Sequence, residues 1–110
     1  MLETDGPRSS GVTVRGSGKT YSYDRVFGRD ADQGMVYQDV AGHVLDEVLQ
    51  GYNCTVFAYG QTGSGKTYTM TGTPDEPGVI PCAVADVFAM IREDPTREFL
   101  LRVSYLEIYN

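Results

Sequence analysis

Residues 60–67 read Gly60-Gln61-Thr62-Gly63-Ser64-Gly65-Lys66-Thr67, a match to G-x-x-x-x-G-K-[ST]. Glycines at these positions let the backbone curl until successive N–H groups point inward and form an anion-binding nest. Lys66 adds a point charge for the outer phosphates of a nucleotide, and the Thr67 hydroxyl is placed to ligate the Mg²⁺ that accompanies a triphosphate. A helix opening near Gly65 would aim its positive end at the same phosphates. The string has this meaning only between a strand and a helix, and its flanks meet that condition. Cys54-Thr55-Val56-Phe57-Ala58-Tyr59 is a short, nearly all-apolar run of the kind buried on both faces of a parallel sheet. The plain alternative, a Gly-Ser-rich turn joining two elements, is disfavoured by that order of strand, loop and helix start.

Around this segment the chain alternates strand and helix patterns. Residues 1–17, with three Gly and three Ser, predict a flexible lead-in, and residues 18–110 the folded part. Thr20 to Phe27 alternates aromatic and polar types and predicts a strand. Asp32 is a fitting N-cap for a helix in which Val36, Val40, Val44 and Val48 recur every fourth residue beside Tyr37, Leu45 and Leu49, with Gly51 as its stop. Gly42 in its middle costs about 1 kcal/mol relative to Ala, which predicts a closely packed crossing there. His43, the single histidine, has no metal-ligating neighbour at useful spacing. After the glycine loop, Thr71-Gly72-Thr73-Pro74-Asp75-Glu76-Pro77-Gly78 cannot continue a helix, and a second one starts at Val79-Ile80-Pro81. Its stripe of Ile80, Val84, Val87, Phe88 and Ile91 reads as core, ending at Asp94-Pro95. Phe99 to Tyr109 predicts a long strand, in which Glu107 reads as a solvated edge charge rather than a catalytic carboxylate. The resulting fold class is α/β, a P-loop NTPase-like, parallel-rich sheet flanked by helices.

Read more widely, residues 51–70, Gly51-Tyr52-Asn53-Cys54 through Gly65-Lys66-Thr67-Tyr68-Thr69-Met70, resemble the nucleotide-binding segment of the kinesin motor domain. Tyr23-Asp24-Arg25-Val26-Phe27 with Val36-Tyr37 is similar to that family's second strand and first helix. Ser104-Tyr105-Leu106-Glu107-Ile108-Tyr109-Asn110 is similar to its S-Y-x-E-I-Y-N strand, and residues 97–110 look most like the centromere-associated mitotic class. The helix broken after the glycine loop is also a kinesin trait. The resemblance implies an ATPase that couples hydrolysis to movement along microtubules, with ATP and Mg²⁺ as cofactors and with coiled coil outside these residues. It places Tyr68 beside the adenine, and the cytoplasmic microtubule cytoskeleton as the location. It also implies what is absent. Neither switch string, N-x-x-S-S-R-S-H or D-L-A-G-S-E, occurs here, nor does the adenine-bracketing R-x-R-P, and Cys82 stands where the family usually carries Arg. The expectation is therefore the N-terminal portion of a motor domain, truncated at its C-terminus, with no catalytic residue of its own and inactive alone.

Charge sets further limits. The 110 residues carry a net charge of −6, with two lysines, Lys19 and Lys66, and scattered arginines. Such a surface disfavours nucleic acid and direct docking on an acidic filament, so the track-binding surface is expected elsewhere in the motor. No apolar stretch approaches membrane-spanning length and no secretory leader pattern opens the chain, which predicts a soluble, cytosolic protein with reduced thiols at Cys54 and Cys82. Two rival readings remain at this point. One is another P-loop nucleotide-binding protein, such as a GTPase or small kinase, although no N-K-x-D string is present; the other is a non-catalytic kinesin-derived module.

Overall fold

The computed structural model describes residues 2–4 and 10–110. Helix α1, Gln33–Val40, starts where Asp32 Oδ1 accepts the Met35 N–H at 2.8 Å, so the expected N-cap is present. The helical run then breaks at Ala41 and resumes as α2, Gly42–Leu49. The Ala41 N–H still reaches the Tyr37 carbonyl, but the Val44 N–H takes the Ala41 carbonyl, a tight i→i+3 bond. A Cβ added at Gly42 would meet nothing within 4 Å, so no element crosses there, contrary to the sequence expectation. Glycine instead opens the second segment at a joint, where its poor helix propensity does least harm. Gly51, at φ +101, ends α2 as expected. Its N–H bonds to the Val48 carbonyl and that of Tyr52 to the Glu47 carbonyl, the paired bonds of a Schellman stop.

Helix α3, Lys66–Met70, is followed by the longer α4, Val79–Glu93, which packs against both α1 and α3. The core is small. Tyr37, Ala41 and Leu45 follow one another at i+4 on α1–α2 and meet Val79, with Val56, Met70, Cys82, Ala83, Val87 and Met90 packed around them. The buried line is thus displaced by one residue from the predicted valine stripe, and Val40 and Val48 stay partly exposed. The same shift occurs on α4, where Ile80, Val84 and Phe88 lie half exposed while Val79, Ala83 and Val87 pack inward. Helix α4 is apolar on two faces, and one of them is covered.

The sheet departs from expectation. Among the described residues, strands β1 (Leu2–Thr4), β2 (Gly11–Val14) and β3 (Thr20–Ser22) pair antiparallel in the order β1-β2-β3. Two of them fall in the stretch predicted as a flexible lead-in, of which residues 1 and 5–9 lie outside the described residues. Val12 and Val14 supply the strand character, and Gly16 and Gly18 at positive φ supply the turn back to β3. The predicted strand 20–27 shortens to its first three residues. No parallel pairing is seen among the described residues, because residues 54–59 and 99–109 find no ladder partner. Exposure still alternates along 54–59: Val56 packs on the helical core while Phe57 is 79% and Tyr59 94% exposed. Phe99 and Leu101 line an apolar cavity with Leu45, Val48, Leu49 and Val87, but Val103 beyond them is 95% exposed.

The chain consequently presents 9397 Å² of accessible surface, against about 6000 Å² for a compact protein of its mass. Its radius of gyration is 16.9 Å rather than the roughly 13 Å of a compact domain this long.

One buried polar contact ties α1 to α4: the Tyr37 hydroxyl donates to Asp86 Oδ2 at 2.5 Å. Burial, then the adjacent carboxylate, raises the Tyr37 hydroxyl well above the ordinary tyrosine range. Because the folded value lies above the unfolded one, the associated stability is complete below about pH 10 and is lost as pH rises toward the folded value. Tyr37→Phe should lower stability by about 1–3 kcal/mol in urea denaturation at neutral pH and remove this alkaline loss. An unchanged urea midpoint would show that the contact contributes nothing.

Candidate functional site

The glycine loop sits between Tyr59 and the start of α3, in the predicted order. Its shape depends on residues without side chains. Gly63 lies at φ +79 and Gly65 at φ +100, conformations that L-residues rarely adopt. A Cβ on Gly60 would stand 2.6 Å from the Ser64 Oγ, so a side chain there would make that hydroxyl turn away. The Ser64 N–H bonds back to the Gln61 carbonyl at 3.2 Å, and the Lys66 ammonium donates to the Gly60 carbonyl, so the lysine reaches back across the loop it follows.

Gly65 caps α3 without any side-chain hydrogen bond, and the first bond of the helix runs from the Thr69 N–H to the Gly65 carbonyl at 2.9 Å. The amides of Lys66, Thr67 and Tyr68 are therefore the unsatisfied donors of a helix start. Beside them lies a cavity of about 410 Å³ lined by Thr62, Gly63, Gly65, Lys66, Thr67 and Tyr68. This lining contains an ammonium, hydroxyls and backbone amides and no carboxylate, in a chain with 15 Asp and Glu. That donor set fits a polyanion, and the Thr67 hydroxyl is the group in it suited to a hard cation carried by a phosphate. Six of the nine predicted nucleotide-binding residues line this one cavity; Gly60, Gln61 and Ser64 shape the loop behind it.

Tyr68 is the single aromatic residue in that lining, and its hydroxyl donates to the Glu76 carboxylate. This hydrogen bond, with lesser contributions from desolvation and the carboxylate charge, raises the Tyr68 hydroxyl above the usual tyrosine value. Glu76 belongs to the segment that interrupts the helix, which folds as a tight hairpin. Gly72 and Pro77 form an antiparallel bridge, the Thr73 N–H bonds to the Glu76 carbonyl at 3.0 Å, and the Gly78 N–H to the Thr71 carbonyl at 3.1 Å. From α1, Gln33 Nε2 donates to the Tyr68 carbonyl at 2.6 Å and lies 3.4 Å from the Glu76 carbonyl. The contacts of Gln33 and Glu76 were not legible in the sequence, since they link positions 35 and 8 residues from Tyr68. Glu107 lies apart from this site, accepting from the Tyr109 and Tyr105 hydroxyls, which in that order hold its carboxyl below the usual range. His43 is exposed, and Cys54 and Cys82 are free thiols. No helix among the described residues is long and apolar enough to cross a membrane.

A family model described as the kinesin motor domain matches residues 4–110. The chain belongs to the kinesin motor domain family. Among its relatives, human centromere-associated protein E is 55% identical over 92 residues, which covers 84% of this chain and 3% of that protein. Kinesin-like protein KIN-7G of Oryza sativa subsp. japonica is 56% identical over 94 residues, 86% of this chain and 10% of that one. The chloroplastic kinesin-like protein KIN-7K of Arabidopsis thaliana is 56% identical over 90 residues, covering 82% and 9%. The chain thus spans a tenth or less of the length of these kinesins. Kinesin motor domains have a P-loop NTPase-like fold and bind nucleotide generally.

Two glycines of the hairpin admit no side chain. A Cβ on Gly72 would lie 2.2 Å from the Glu76 carbonyl oxygen, and one on Gly78 2.5 Å from that of Thr69. Gly78→Ala should open the hairpin at a cost of about 1–3 kcal/mol, read as faster amide exchange at Thr73 and at position 78. Unchanged protection at both amides would show that the close approach is not maintained in solution.

Proposed function

We propose that this chain forms the ATP-binding part of a kinesin-like microtubule motor, in which ATP hydrolysis drives movement along the filament. The observation that carries the reading is the carboxylate-free cavity formed by Gly63, Gly65, Lys66 and Thr67 at the start of a helix, in a chain of this family. Loop amides and the Lys66 ammonium would bind the phosphates, the Thr67 hydroxyl would hold Mg²⁺, and the Tyr68 ring would stack on the adenine. When bound, Mg²⁺ neutralises phosphate charge. Within this reading residues 18–110 are the N-terminal portion of the motor domain. Residues 54–59 and 99–109 are strands of its parallel-rich sheet, and the outward faces of Phe57, Tyr59 and Val103 are covered by further strands. The complete protein works on microtubules in the cytoplasm, through a track-binding surface formed by other residues.

Hydrolysis needs a group that positions the attacking water and elements that respond to the γ-phosphate. The chain holds the cradle but neither switch string. By itself it is a binding unit rather than a working ATPase, and its microtubule-stimulated phosphate release should stay far below about 1 s⁻¹. That separation of binding from turnover also distinguishes the proposal from a degenerate module, which would bind no nucleotide.

Lys66→Ala should weaken Mg²⁺·ATP binding tenfold to a hundredfold in calorimetry, as expected for a charge-assisted phosphate contact worth about 1.5–3 kcal/mol. Thr67→Ser should retain the Mg²⁺ dependence of binding and Thr67→Val should lose it. Unchanged affinity in Lys66→Ala, or identical Mg²⁺ titrations for the two Thr67 variants, would contradict the assignment.

A further inference from the structure

We infer that Glu76, with Gln33 behind it, is a positioning residue that fixes the Tyr68 ring as a base-stacking wall, so that the hairpin after the phosphate loop sets affinity for the nucleoside and not for the phosphates. The inference rests on the nucleotide-site reading and goes beyond it by naming what holds the ring.

Three contacts converge on Tyr68 from separate parts of the chain. Its hydroxyl donates to the Glu76 carboxylate, which fixes the far end of the ring. Its carbonyl lies in the last turn of a five-residue helix, where no i+4 donor reaches it because the Gly72 N–H bonds to Thr67 instead. Gln33 Nε2 supplies that missing donor at 2.6 Å, and the same nitrogen lies 3.4 Å from the Glu76 carbonyl. One amide from α1 therefore holds the backbone of the ring and the backbone of the residue that anchors the ring's tip. Tyr68 is itself half exposed, so packing does not fix its rotamer, and without Glu76 the ring would be free to turn about χ1. A stacking surface is effective only while its face stays presented, and base–aromatic stacking is sequence-tolerant and does not involve phosphate.

The Glu76 side chain can be removed without dismantling the hairpin. The hairpin bonds at this residue use its main chain: the carbonyl accepts from the Thr73 N–H, and the N–H donates to the Thr73 Oγ1 at 3.1 Å. A carboxylate near a phosphate site is otherwise unfavourable, since like charges repel. Its attachment to the Tyr68 hydroxyl gives it a role that a phosphate-binding account alone does not.

The test compares two ligands, ATP and inorganic triphosphate, titrated into the 110-residue chain and its Glu76→Ala, Glu76→Gln and Tyr68→Phe variants. Glu76→Ala and Tyr68→Phe should each weaken ATP binding roughly threefold to tenfold, while triphosphate binding stays unchanged in Tyr68→Phe and is unchanged or tighter in Glu76→Ala, which also loses a repelling charge. Glu76→Gln, which keeps an acceptor oxygen, should restore most of the ATP affinity. Glu76→Ala placed on Tyr68→Phe should add no further loss, because the hydroxyl it acts through is already gone. Unchanged ATP affinity in Glu76→Ala would overturn the inference, as would an equal loss for both ligands, which would mean general damage to the loop. Failure of the unsubstituted chain to bind either ligand would overturn the nucleotide-site reading itself, and the positioning role with it.

Discussion

The rest of the structure depends on the contact between α1 and α4, where Tyr37, Ala41 and Leu45 meet Val79 and the Tyr37 hydroxyl reaches Asp86. These helices are 38 residues apart in sequence, with the apolar run 54–59, the glycine loop, α3 and the hairpin strung between them. Packing α4 on α1 brings both ends of that stretch together. Val56 packs on the same core from the residues before the loop and Met70 from the end of α3, so the loop is anchored on both sides of its glycines. Gln33, at the start of α1, can then reach the Tyr68 and Glu76 carbonyls. A glycine-rich loop has little conformational preference of its own, and it is this frame that gives it a defined shape.

The frame leaves much apolar surface uncovered. Helix α4 turns Ile80, Val84 and Phe88 outward, and Phe57, Tyr59, Val103, Leu106 and Ile108 are more exposed still. A polar chain this open would simply be solvated, but these residues are of the types that usually form a core. The hydrophobic driving force for covering these residues is large. The imbalance also sets an expectation for handling: with five apolar side chains buried among the described residues (Val26, Tyr37, Ala41, Leu45 and Val79) and none of them wholly enclosed, the isolated chain has low stability and a tendency to aggregate.

Much of the site was legible in the sequence because its determinants are local. The G-x-x-x-x-G-K-[ST] string, the N-cap Asp32, the stop at Gly51 and the break between Met70 and Val79 each depend on residues within a few positions of one another. The sheet was not legible in the same way. Cys54 to Tyr59 and Phe99 to Tyr109 have the composition of buried strands, yet a strand exists only through its partner, and no partner lies among the described residues. The hairpin of β2 and β3 is not legible for the opposite reason, since Gly16-Ser17-Gly18 reads as a linker until Val12 is seen to pair with Tyr21 and the Val14 N–H to reach the Lys19 carbonyl across it. Helix faces were mistaken by one position on both α1–α2 and α4, because each carries apolar residues over more than half its circumference and periodicity cannot choose between adjacent stripes.

In the proposed function the backbone of residues 63–67 is a phosphate cradle held in shape by the helical frame. Backbone amide resonances followed during titration with Mg²⁺·ATP test it most directly. The account predicts saturable shifts at Gly63, Gly65, Lys66 and Thr67, with smaller ones at Tyr68 and Glu76. Saturable shifts confined to other regions, such as residues 25–31, with the 63–67 amides unmoved, would contradict it.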